Sequence, residues 1–114
     1  RVQQRRANYE FYKKELYNKD GIIFVEEKKD MFSNRWLSCI LTESFEKREE
    51  IRLSLAADEI ESRPLWKPMH LQPVFMNYPN YTNGVSEDLF NRGLCLPSGS
   101  NLSNSDLKRI IEKI

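Results

Sequence analysis

Arg63, Lys67 and His70 fall within eight positions of one another, in the run Glu-Ser-Arg-Pro-Leu-Trp-Lys-Pro-Met-His-Leu-Gln-Pro from Glu61 to Pro73. A guanidinium stays charged at any physiological pH and forks onto phosphate or carboxylate oxygens. An imidazole can donate a hydrogen bond to the same kind of oxygen. A lysine next to a tryptophan, here Lys67 beside Trp66, is the type that desolvation can make nucleophilic. Prolines at 64, 68 and 73 brace the run. Each lacks an N–H and clashes with the preceding turn of a helix, so the segment must be extended, a loop that presents side chains to a ligand.

The elements that position this loop can be read on either side of it. Val2, Arg6, Tyr9, Tyr12 or Lys13, and Leu16 fall on one face of a helix over residues 1–18, which Asp20-Gly21 ends. The basic residues of that helix read as a solvated face. Ile22 to Val25 is a short strand, and Trp36 to Thr42 is the strongest and most central one. Ser44 caps a helix with Ile51, Leu53, Leu55, Ala56 and Ile60 as its apolar positions, ending near Asp58 or Glu59. Asn77 to Gly84 reads as a surface excursion. Ser86 begins a short helix with Val85 stapled onto Phe90, and Gly93 stops it before the strand Leu94–Leu96. Ser103, paired with Asp106, caps a last helix whose stripe is Leu107, Ile110, Ile111 and Ile114. The order αββα, loop, αβα predicts an α+β fold: a short open sheet with helices packed on one face.

The 114 residues suffice for one core, and 31% charged with 39% apolar residues is a globular composition. A net charge of +1 gives no global field toward nucleic acid or an anionic membrane, so neither is expected as a partner. One histidine and two separated cysteines, Cys39 and Cys95, offer no metal-ligand pattern. The cysteines read as buried free thiols of a reducing compartment rather than a disulfide. No apolar run approaches a membrane span, and the first residues carry no secretory signal. The chain is expected to be cytoplasmic and, opening inside a helix without Met, to be cut from a longer protein.

Four stretches together carry a family resemblance: Arg-Val-Gln-Gln-Arg-Arg-Ala-Asn-Tyr at the start, Ser33 to Leu37, Ile60 to His70, and Gly93 to Gly99. In order and separation they resemble the C-terminal small domain of the DegT/DnrJ/EryC1/StrS-type sugar aminotransferases, pyridoxal-phosphate (PLP) enzymes of fold type I. The likeness covers nearly all 114 residues and is closest to the branch acting on UDP-linked 4-keto sugars. It implies a homodimeric enzyme that transfers an amino group, usually from glutamate, to a nucleotide-linked keto-sugar. It also implies that the cofactor is held mainly by a large N-terminal domain absent from this chain, so that the chain alone has no catalytic residue and no activity. A neighbouring branch of the family dehydrates instead.

Under that resemblance the loop lies at the mouth of the active site, where both subunits of a dimer meet the substrate. Arg63 and His70 become the substrate-binding candidates, and Lys67 a bystander or phosphate contact, since the surroundings of a Schiff-base lysine are missing. For Arg63 the competing reading is an ion pair with an acidic neighbour. Asn34, Arg35 and Gln72 are possible cleft residues, the first two also suited to fixing a turn. Trp66 and Met69 read as packing that holds the loop. The reading from another class is an independent module that binds a phosphorylated ligand or a protein without catalysis.

Overall fold

A computed structural model describes all of residues 1–114. Four helices and four strands follow in the order α1 (Val2–Leu16), β1 (Ile23–Phe24), β2 (Ser38–Leu41), α2 (Phe45–Ala57), β3 (Arg63–Pro64), α3 (Val85–Arg92), β4 (Gly93–Leu96) and α4 (Asn104–Ile111), with a single 3-10 turn at Met69–Leu71. The strands form one open antiparallel sheet in the order β1-β2-β4-β3. The fold is α+β, as the order of elements predicts.

Side chains alternate across a strand, and here the two faces differ. Ile40 of β2 with Leu94 and Leu96 of β4 point into the core, where they meet Tyr12 and Leu16 of α1, Ile51 and Leu55 of α2, and Leu107 and Ile110 of α4. Helices α1, α2 and α4 therefore cover one face. Cys39, Cys95 and Arg63 are register partners in a row across β2, β4 and β3, on the opposite face.

Local signals account for the starts of α2 and α4, whereas α1 ends at Leu16, ahead of the expected Asp20-Gly21. Ser44 Oγ accepts the Lys47 N–H at 3.1 Å. Ser103 and Asp106 form a reciprocal capping box at the start of α4. Helix α3 departs from expectation, because it starts at Val85 behind Gly84, whose φ of 82° suits glycine, and not behind Ser86. Val85 thus lies inside the helix and 54% exposed, instead of ahead of the cap where a staple requires it. Leu53, expected in the core, is 57% exposed because it faces away from the stripe of Ile51 and Leu55.

The loop from Glu61 to Pro73 is less irregular than its prolines suggest. Its Arg63–Pro64 pair is an edge strand on β4. Leu65 N–H donates to Gly93 O at 3.2 Å, so by alternation Pro64 occupies the position whose missing N–H would point away from the sheet. Gly93 is required by crowding: a Cβ there would stand 2.2 Å from Leu65 Cδ1 and 2.4 Å from Leu89 O. No helix is long and apolar enough to cross a membrane.

Candidate functional site

Three of the four stretches singled out in the sequence meet at one cleft of about 360 Å³ on the sheet face opposite the core. Trp36 and Leu37 come from the approach to β2, residues 61–64 and Trp66 from β3 and its flanks, and residues 95–98 from β4 and the turn after it. The fourth stretch, in α1, backs two of these three, 33–37 and 93–99. Arg5 Nη1 donates to Trp36 O at 2.5 Å, Arg6 Nη1 to Ser33 O at 2.5 Å, Asn8 Nδ2 to Gly99 O at 2.9 Å and the Tyr12 hydroxyl to Pro97 O at 2.8 Å. Asn8 and Tyr12 are buried, and burial pushes the Tyr12 hydroxyl well above the usual phenol range, so it stays a neutral donor. Ser98 Oγ accepts the Ser38 N–H at 2.7 Å and donates to Leu96 O at 2.8 Å, which locks the turn to β2 and β4.

Arg63 stands at this cleft with its side chain 77% exposed. Its Nε and Nη2 both donate to one oxygen of Glu61, at 2.7 and 2.5 Å, so the expected acidic neighbour is present and Nη1 is unpaired within the chain. An exposed pair of this kind is worth about 0–1 kcal/mol, so an incoming anion can exchange for Glu61 at small cost. The walls are indoles: Trp36 and Trp66 have ring centroids 5.9 Å apart and planes tilted by 39°. Trp66 is 65% and Met69 59% exposed, which corrects their reading as buried packing. Apolar side chains at such exposure are free to bury area against something else.

The other candidates are not at this cleft. His70 Nε2 lies 2.7 Å from Glu87 Oε1, tying the 3-10 turn to the first turn of α3. Lys67 is exposed and makes no ion pair within the chain. Gln72 Nε2 donates to Lys67 O at 3.1 Å and closes the loop on itself. Asn34 Oδ1 accepts the Trp36 N–H at 3.0 Å, fixing the turn before β2, and borders a smaller hollow of about 140 Å³ with Arg5 and Trp36. Arg35, at a φ of 47°, stacks its guanidinium 3.6 Å from the centroid of Tyr9 and donates to Val25 O. The sequence reading missed Trp36 as a cleft residue, because an indole next to an apolar strand looks like part of that strand.

The family model for the DegT/DnrJ/EryC1/StrS aminotransferase family matches residues 1–114. The chain belongs to this family. It is 43% identical to EpsN of Bacillus subtilis (strain 168), assigned as a pyridoxal phosphate-dependent aminotransferase, over 98% of this chain and 30% of that protein. It is 37% identical to the GDP-perosamine synthase of Escherichia coli O157:H7, over 99% of this chain and 30% of that protein. A crystal structure of a DegT DnrJ EryC1 StrS aminotransferase from Brucella abortus superposes with a TM-score of 0.82 at 29% identity, over 98% of this chain and 30% of that one. The chain spans about 30% of the length of the family members it matches.

The residues present do not fit the cofactor of this family. A Schiff-base lysine needs a cleft with groups that grip the ring and phosphate. Neither the cleft between Trp36 and Trp66 nor the hollow beside Asn34 is lined by a lysine, and exposed Lys67 has no acidic partner.

Proposed function

We propose that this chain is the C-terminal small domain of a PLP-dependent aminotransferase, which transfers an amino group from glutamate to a keto-sugar carried on a nucleoside diphosphate. Family membership supports the reaction class. One observation carries the role of this part: an accessible arginine beside two exposed indoles, in a cleft without a lysine. Such a cleft can grip a substrate and cannot hold the cofactor.

In this reading Arg63 leaves Glu61 to fork onto diphosphate oxygens, while Trp36 and Trp66 offer flat apolar faces to a sugar or base ring. Lys67 and His70, on the same loop but outside this cleft, meet only a part of the substrate that extends beyond it, His70 through its other ring nitrogen since Nε2 is held by Glu87. The turn-forming contacts of Asn34, Arg35 and Gln72 keep these groups in place. The cofactor lies in a large domain preceding this one, and the exposed side chains of the loop face that domain or the second subunit of a homodimer.

The test is an assay of the whole protein with PLP, glutamate and a 4-keto sugar linked to UDP or to GDP, beside the 114-residue chain alone. The proposal expects an amino-sugar product from the whole protein with one of the two nucleotides, and none from the 114 residues. A whole protein that binds neither PLP nor either nucleotide-sugar would favour the alternative, a ligand- or protein-binding module.

A further inference from the structure

Cys39 of β2 and Cys95 of β4 are register partners whose Sγ atoms stand 3.7 Å apart without a bond between them. The ladder puts them at a particular kind of position. Thr42 N–H donates to Arg92 O at 2.9 Å, and Leu65 N–H donates to Gly93 O at 3.2 Å. Hydrogen-bonded and non-hydrogen-bonded pairs alternate along antiparallel strands, so Cys95 directs its backbone groups to Arg63 and not to Cys39. Cys39 and Cys95 are thus a non-hydrogen-bonded pair, in which Cα atoms lie about 4.5 Å apart and side chains approach most closely. That spacing falls within the range of roughly 4.4–6.8 Å that disulfides span.

We propose that Cys39 and Cys95 are a modification site, a cross-strand dithiol that a small hydroperoxide oxidises to an intramolecular disulfide. Cys95 lines the cleft, which gives an oxidant a route to it, while Cys39 is the more exposed residue of the two. The contact between the two thiols holds Cys95 below its usual range and pushes Cys39 up. With hydrogen peroxide, the Cys95 sulfur attacks one oxygen, the O–O bond breaks, and a sulfenic acid and one water result. The Cys39 sulfur then attacks the sulfenyl sulfur and expels the second water, its thiol proton going to the departing hydroxide. Two electrons and two protons leave the thiols, and peroxide becomes two waters. The limited access to the pair suits a small uncharged oxidant, Cys95 being 8% exposed. Because Arg63 is the register partner of Cys95, the new bond would tie β2 to β4 directly beneath the arginine of the cleft.

The experiment treats the native whole protein with hydrogen peroxide, blocks remaining thiols by alkylation, and maps tryptic peptides by mass spectrometry. Peptides 36–47 and 93–108 should appear joined, two hydrogens lighter than their sum, and should separate with dithiothreitol. In Cys39→Ser the joined species should vanish and Cys95 should be captured by dimedone as a sulfenic acid. Recovery of both cysteines alkylated and unlinked overturns the proposal, as does oxidation of wild-type Cys95 to sulfinic acid without the joined peptide. The wild-type map decides the matter even if the serine variant fails to fold.

Discussion

Trp36 and Trp66 touch across the mouth of the cleft at 5.9 Å between ring centroids, yet each keeps more than half of its surface open, 59% and 65%. They come from segments 30 residues apart in sequence and meet only because β2 and β3 flank β4 on its two sides. An indole this exposed contributes little to folding and much area to a ligand. Trp66→Ala should therefore shift folding stability by no more than about 1 kcal/mol, while raising KM for the nucleotide-sugar in the whole protein. Thermal melting and steady-state kinetics on the same preparation check the two halves of that expectation.

Tyr12 reaches through the core to hold Pro97 O, and with Asn8 it anchors the turn that edges the cleft. Tyr12→Phe keeps the ring and removes only the donor, leaving a carbonyl unpaired. Equilibrium urea unfolding should show a loss of about 1–2 kcal/mol with an unchanged m-value.

Arg48 is 4% exposed, donates to Phe90 O at 2.9 Å, and lies against the rings of Phe45 and Phe90. It joins α2 to α3, and through α3 supports Glu87, the partner of His70. Arg48→Ala removes both the stem packing and the donor, and should cost about 2–3 kcal/mol by the same measurement.

Glu27 accepts both Nη atoms of Arg6, at 3.1 and 3.0 Å, together with the Ser33 N–H, and these partners hold its carboxyl down at about 2. A carboxylate whose folded pKa lies below its ordinary 4.5 adds stability that is complete above 4.5 and is lost as pH falls through the folded value. Stability should thus decline between pH 4.5 and about 2. Glu27→Gln should be less stable at neutral pH and show a shallower decline across that window, read from melting temperature against pH.

Much of the fold is legible in the sequence where the signal is local. The Ser103–Asp106 capping box and the Ser44 cap are set by residues three apart, and the structure has both. Strand β3 was not legible, because Arg63 and Pro64 become a strand only by lying against β4, some 30 residues on. The cleft was half legible. Its rigid Arg63 loop could be read from prolines and charge, whereas the pairing of His70 with Glu87 and the meeting of two tryptophans depend on tertiary placement. Side-chain type points large apolar residues inward by default, and Trp36, Trp66 and Met69 are exceptions that no periodicity marks.

The central claim is that Arg63 grips the substrate and leaves the amino-donor half of the reaction alone, and Arg63→Ala in the whole protein tests it most directly. Loss of a charge-assisted contact should raise KM for the nucleotide-sugar by roughly 10- to 100-fold, while single-turnover reaction of the PLP form with glutamate proceeds at the wild-type rate. Equal damage to both half-reactions would contradict the account and make Arg63 a structural or cofactor-serving residue.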